Sequence, residues 1–363
     1  MAPLAGALAV VGVGVAVALA KGSLERRAAR ARGDPPRRPG NRRPALLPGE
    51  PFAEGLRRVI LGQLDLAVEL LEAFPGGVGT QGSGSGGGRS GGEGADPAQA
   101  GARTVHETRK ALKRLRALLS LLRGELGPKR YARENAALRD CGRRLAGARD
   151  AEVMLGTLDS LVRRDPAHFT RSAALRTLRA QLLAERDTAA AHAIHDPRVR
   201  GEVVVELRAV RARVERWELR ERGFRLLAPG VEGIYAQGRR RMRTARRRHS
   251  VEALHVWRKR VKELRYAAET LDRGGKSHKP VRRVARRADR LGEMLGEEHD
   301  LALLEARVRE RSRGFAGERK VRKRLLRLIA ARRRKLRKRA LREGERLYRR
   351  PPRRFVRRLK RAR

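Results

Sequence analysis

Histidine, arginine and lysine recur at one fixed spacing in two places along the chain. Residues 106–116 read HETRKALKRLR and residues 255–265 read HVWRKRVKELR, both of the form H-x-x-R-K-x-x-K-x-L-R. These residue types suit phosphate. Arginine presents a planar fork of donors to paired phosphate oxygens, lysine supplies a mobile point charge, and histidine becomes a further cation when a bound phosphate raises its pKa. Cations at positions i, i+3, i+7 and i+10 of a helix draw a row about 15 Å long, at 1.5 Å per residue. A row of that length fits an extended anionic chain better than a compact ligand. A solvated basic face is the alternative for either copy alone, and two copies in phase weaken it.

Positioning such rows requires helices with one cationic and one apolar face. At about 100° per residue, His106, Arg109, Lys110, Lys113 and Arg116 share one arc, while Ala111, Leu112, Leu115, Leu118, Leu119 and Leu122 gather opposite. The second copy places His255, Arg258, Lys259, Lys262, Arg265 and Tyr266 on the basic arc and Val261, Leu264, Ala267, Ala268 and Leu271 on the apolar one. The correspondence extends outward. LAGARD at 145–150 answers LGEEHD at 295–300, with Asp150 lying 44 residues after His106 and Asp300 lying 45 after His255. Upstream, Glu54-Gly55-Leu56 answers Glu232-Gly233-Ile234. The first of these intervals, Glu54 to His106, is 52 residues; without the 28-residue segment 75–102 it is 24, against 23 from Glu232 to His255. An internal duplication carrying one insertion accounts for all three markers.

The remainder of the chain is dense in Ala, Leu, Arg and Glu, which favours helices, and no hairpin or βαβ pattern stands out. Residues 52–74 space Leu56, Val59, Ile60, Leu64, Val68 and Leu71 as an amphipathic helix. Segment 75–102 holds 12 glycines, too few apolar groups to offset its ordering entropy, and is expected to be a mobile loop. It lacks the G-x-x-x-x-G-K-[ST] pattern of a nucleotide-phosphate loop. Residues 200–219, with Val210, Val214 and Trp217 at helical intervals, are expected to be helical. Residues 319–363 contain 24 Lys or Arg yet still space Leu325, Leu328, Ile329, Leu336 and Leu341 helically, predicting a packed basic helix.

The paired H-x-x-R-K-x-x-K-x-L-R segments, LRY at 264–266, ARD at 148–150, EEHD at 297–300 and the closing EGERLYRRPPRRFVRRLKR resemble the CHAD family, the conserved histidine α-helical domain, over roughly residues 52–363. The resemblance implies an all-α fold of two similar four-helix bundles about a pseudo-twofold axis, with a basic central channel that binds inorganic polyphosphate. Repeat 1 would span about 52–200 and repeat 2 about 201–363. The binding residues it implies are His106, Arg109, Lys110, Lys113, Arg116, His255, Arg258, Lys259, Lys262 and Arg265, with Arg139, Arg143, Arg149, Arg283, Arg287 and His299 in second rank on the following helices. The chain departs from the pattern at Ala146, which stands where Gly296 stands in the second copy, and in the glycine-rich insertion.

Whole-chain totals agree with a polyanionic partner. Lys and Arg number 89 against 40 Asp and Glu, a formal net charge of +49, and such self-repulsion is relieved in use by nucleic acid, an anionic membrane or a phosphate polymer. Aromatic residues are only 3%, which disfavours stacking on exposed bases. Cys141, the single cysteine, allows no internal disulfide and reads as a buried helix residue. Asp150 and Asp300, set among arginines, read as ion-pair partners rather than proton carriers. His168, His192, His195, His249 and His278 form no ligand-like grouping, so no metal or other cofactor is expected. No catalytic apparatus is visible, and binding rather than catalysis is expected.

Two other readings stay open: an RNA-, DNA- or ribosome-associated protein using the basic C-terminal region, and a polyphosphate-processing enzyme. Residues 4–20 are uncharged and apolar, just long enough to cross a bilayer, and are followed by Lys21, Arg26, Arg27, Arg30 and Arg32. A membrane anchor with the basic body on the cytoplasmic side is favoured over a cleaved signal, with a misassigned start as a third reading. The expected location is the cytoplasmic face of a membrane, or the cytoplasm and its polyphosphate granules. Residues 21–50, rich in Arg and Pro, are expected to be a disordered linker.

Overall fold

Amphipathic periodicity becomes twelve α-helices among the described residues of the computed structural model, which are 45–74, 97–145, 148–190, 196–220, 223–273 and 278–361. In chain order they are α1 (Phe52–Glu72), α2 (Pro97–Leu121), α3 (Arg123–Arg144), α4 (Ala148–Arg164), the single turn α5 (Pro166–Phe169), α6 (Ala173–Ala190), α7 (Pro197–Glu215), α8 (Ala228–Arg248), α9 (Val251–Leu271), α10 (Lys279–Glu310), α11 (Arg319–Leu347) and α12 (Pro352–Arg361). No strand occurs among the described residues, and the fold is all-α. Local signals set the ends. Asp196 accepts from the amides of Arg198 and Val199 ahead of Pro197 in α7, and the Ser250 hydroxyl accepts from the Ala253 amide at 3.1 Å to start α9. His249 closes α8 in the left-handed conformation, φ 51°. Gly127, φ 71°, breaks α3 just before Pro128, so a short turn precedes the main helix.

The helices form two apolar cores. In the larger, α1 packs on α2 and α7, and α3 packs on α2 and α7. The second half repeats that pairing: α8 packs on α9 and α12, and α10 packs on α9 and α12. The two quartets share one continuous core, joined where α2 meets α8 and α9. The approach is closest at Gly230, whose absent Cβ would overlap the Leu121 carbonyl. The smaller core gathers Leu158 of α4, Leu182 of α6, Leu304 of α10 and Ile329 of α11. Helix α10, 32 residues and about 48 Å long, serves both cores: Leu291 and Leu295 in the first, Leu301 and Leu304 in the second.

Three expectations need adjustment. The linker was expected to run to residue 50, but Leu46 is buried and its amide donates to the Thr270 carbonyl at 3.0 Å, while Glu50 pairs with Arg58 at 2.7 Å. A short apolar pair, Leu46-Leu47, within an Arg/Pro-rich stretch carried no periodic signal. The glycine-rich loop was expected to reach residue 102, but α2 begins at Pro97. The segment PAQAGA holds a proline suited to a first helical turn and good helix formers behind it, which its glycine masked. The basic stretch 319–363 is two helices, α11 and α12, divided near Pro351. Residues 1–44, including the apolar segment 4–20, lie outside the described residues, as does most of the glycine-rich loop; among the described residues no helix is long and apolar enough to cross a membrane.

Candidate anion-binding site

Leu112, Leu115, Leu118 and Leu119 of α2 are buried, which turns the basic arc of that helix away from the core. His106 at its start is exposed. Arg109 reaches across to α3, where Nη1 donates to the Gly142 carbonyl at 2.7 Å. Lys110 pairs with Glu107 at 3.0 Å, Lys113 is half-buried, and Arg116 Nε donates to Asn135 Oδ1 at 2.9 Å. Partial burial lowers the pKa of the Arg116 guanidinium, with the Glu263 carboxylate opposing that shift.

The row on α9 is built in the same way with different partners. Val261, Leu264, Ala267, Ala268 and Leu271 are buried, and the ring of His255 lies 4.3 Å from that of His299 on α10. Arg258 lies against Gly296, where a Cβ would stand 3.4 Å from Nη2, and Lys262 passes Gly292, where a Cβ would be 3.8 Å from its Cγ. Lys259 is exposed. Arg265 is held on both sides, by Glu269 at 2.8 Å and by Asp289. Tyr266 departs from the expectation of a position on the basic arc: it is buried, with the guanidinium carbons of Arg114 and Arg265 at 5.7 and 5.9 Å from its ring centroid. A helix wheel places it inside the arc, and the packing of α2 against α9, with Arg114 over its ring, covers it.

Toward the C-terminal ends of the rows the two helices themselves meet. Helix α2 packs on α9, Arg114 sits over Tyr266, and Arg116 is near enough to Glu263 and Arg260 to feel both charges. Of the second-rank residues, Arg139 and Arg143 flank the α2 row on α3 and share Asp140 at 3.1 and 3.2 Å. His299 joins the α9 row, whereas the side chain of Arg149 lies outside the described residues. Arg283 and Arg287 do not join it. At about 100° per residue they lie on the side of α10 away from Asp289, Gly292, Gly296 and His299, facing the end of α11. Sequence reasoning missed Arg114, beside Lys113 within the first motif, and Asn135 on α3, which become neighbours of the rows through helix packing.

Other titratable groups have structural surroundings. Burial pushes the Cys141 thiol up to about 11, so it is protonated at neutral pH. Asp300 is half-buried in α10, and the side chain of Asp150 lies outside the described residues. His168 pairs with Asp165 at 2.8 Å, and His192 and His195 lie outside the described residues. Among the described residues no group of three or more His, Cys, Asp or Glu side chains is placed to hold a metal ion.

With this geometry in place, comparison with known proteins is specific. The family model of the CHAD domain matches residues 94–309. No curated protein matches. Among solved structures, the crystal structure of the CHAD domain from the plant Ricinus communis is similar at a TM-score of 0.51 and 19% identity, over 83% of this chain and 93% of that one. At that identity the likeness speaks for the fold, and the family model, which spans more than half of the chain, speaks for membership. The chain belongs to the CHAD domain family.

Proposed function

We propose that the protein binds inorganic polyphosphate, without catalysis, along the paired basic faces of α2 and α9. The supporting observation is the pair of in-phase cationic rows carried by α2 and α9, two helices that pack on each other. Two rows of about 15 Å on neighbouring helices offer an extended chain successive phosphate contacts. Capture is electrostatic: bound phosphates displace counterions, and affinity falls steeply with salt. Contacts such as Lys110 with Glu107 and Arg143 with Asp140 are between partly exposed groups, cost little to exchange, and leave those cations available to a phosphate chain.

The test is titration of the full chain with polyphosphates of defined length, with RNA and duplex DNA as competitors, at about 150 mM salt. Affinity should rise with polyphosphate length and exceed that for nucleic acid of equal charge. Lys113→Ala with Lys262→Ala should weaken it and make it less salt-dependent. Arg265 is unsuitable for charge reversal, because a carboxylate there would meet Glu269 and Asp289 and disturb the fold. Tighter binding of RNA or DNA would instead favour the nucleic-acid reading, and metal-dependent phosphate release would favour an enzyme. The apolar segment 4–20 supports placing this binding at the cytoplasmic side of a membrane, checked by carbonate extraction of membranes.

A further inference from the structure

A second cationic feature lies apart from the paired rows. Between α8, α10, α11 and α12 is a cavity of roughly 300 Å³ whose wall carries Arg283, Arg287, Arg346, Arg349, Arg350 and Arg358 and no carboxylate. Its floor is apolar, formed by Val284, Leu347 and Leu359 beside Phe355, and the Phe355 ring stacks on Tyr235 at 3.8 Å.

The contrast with the matched place in the first half is informative. Helix α7 stands to α1 and α3 as α12 stands to α8 and α10. On α7 three arginines are neutralised from within the protein: Arg208 by Glu72 at 2.6 Å, Arg211 by Asp65 at 2.7 Å, and Arg213 by Glu134 at 2.9 Å. Around the cavity one carboxylate, Glu343, stands near, 3.9 Å from Arg287 and 3.7 Å from Arg346. Arg283, Arg349, Arg350 and Arg358 have no carboxylate partner among the described residues.

The backbone that carries Arg349 and Arg350 is held in place. Tyr235 Oη donates to the carbonyls of Leu347 and Arg350 at 3.2 and 3.1 Å, and Arg239 Nε donates to the Tyr348 carbonyl at 3.2 Å. The turn that presents Arg349 and Arg350 is thereby fixed before any ligand arrives. Arginine forks lining one cleft, four of them with no carboxylate partner among the described residues, are the chemistry that takes up phosphate oxygens bidentately. The cavity is a partly open cleft among four helices with an apolar floor, which suits a short phosphate group bearing an apolar body.

We propose that this cavity is a second anion site, for a compact di- or triphosphate group, either inorganic or carried by a nucleoside. It is independent of the reading of the α2 and α9 rows. Isothermal titration of the full chain with tripolyphosphate, ATP and inorganic phosphate tests it, using Arg349→Ala/Arg358→Ala, Arg349→Lys/Arg358→Lys, and the row variant Lys113→Ala/Lys262→Ala. Tripolyphosphate or ATP should bind, inorganic phosphate far more weakly, and the Arg349→Ala/Arg358→Ala variant should lose roughly tenfold or more. The row variant should keep this affinity. The lysine pair, which retains charge and loses the forks, should fall between and keeps the test open if the alanine pair misfolds. ATP binding tighter than tripolyphosphate identifies a nucleotide that uses the floor; equal affinities identify the bare phosphates. Unchanged affinity in both arginine variants, an equal loss from Arg240→Ala/Arg247→Ala on the exposed face of α8, or loss in the row variant instead would overturn the proposal.

Discussion

Arg109 and Arg258 occupy the same position of the repeated motif but are held differently, and one methyl group accompanies the difference. Arg258 lies over Gly296, where a Cβ would stand 3.4 Å from Nη2, in ordinary van der Waals contact. At the matched position the first copy has Ala146, and Arg109 instead donates to Gly142 about one turn earlier. Gly296→Ala should therefore fit beside the Arg258 guanidinium and leave polyphosphate affinity nearly unchanged. It should leave melting unchanged or slightly raised, because alanine is favoured over glycine by about 1 kcal/mol inside a helix. Parallel melting and titration check both effects, and unchanged affinity with an intact or raised Tm is the expected result. Cys141 gives a second residue-scale test. Its thiol is raised from 9.0 to about 11 in the folded state by burial, so folding favours the protonated form. That contribution is complete below about pH 9 and is lost as pH rises through 11. Iodoacetamide at pH 8 should label Cys141 slowly in the folded protein and rapidly once denaturant unfolds it.

At the scale of elements, the helix contacts depend on a few buried carboxylates as well as on leucines. Glu134 of α3 is fully buried and is met by Arg133 at 2.7 Å and by Arg213 of α7 at 2.9 Å, which fastens α7 to α3. Glu298 of α10 does the same with Arg333 and Arg337 of α11, at 2.9 and 2.8 Å. Removing one partner of such a group strands charge in the interior, so Arg213→Ala should cost about 3 kcal/mol, somewhat reduced because Arg133 remains. Arg208→Ala breaks only an exposed pair with Glu72 and should cost about 1 kcal/mol or less. Chemical denaturation of the two variants checks the contrast. This is also where legibility from sequence divides. The rows of α2 and α9 and their leucine faces were readable because helical periodicity is a local property. The Arg213–Glu134 pair, the α2–α9 contact and the arginine cavity join positions far apart in the chain, and single residues such as Arg358 carry no mark of where packing will bring them. The start of α2 at Pro97 was hidden for a different reason: composition averaged over 28 residues concealed six that form helix.

For the whole molecule, the balance of charge decides how it responds to its surroundings. A formal charge of +49 repels itself, while the many Arg–carboxylate contacts at the surface attract. Exposed pairs contribute little each, and the uncompensated cations outnumber them, so repulsion dominates at low ionic strength. Raising salt from about 50 to about 300 mM shortens the screening length and should raise Tm in the absence of ligand, the reverse of what a fold supported by surface ion pairs would show. Polyphosphate should raise Tm further by binding only the folded form, and by more at low salt, because the same salt that relieves repulsion competes with the polyanion. Scanning calorimetry across that salt range, with and without long-chain polyphosphate, measures both slopes. They should have opposite signs: the free protein gaining stability with salt, and the increment from polyphosphate shrinking. A ligand-free Tm that falls as salt rises would mean that the internal pairs outweigh the excess of arginine and lysine.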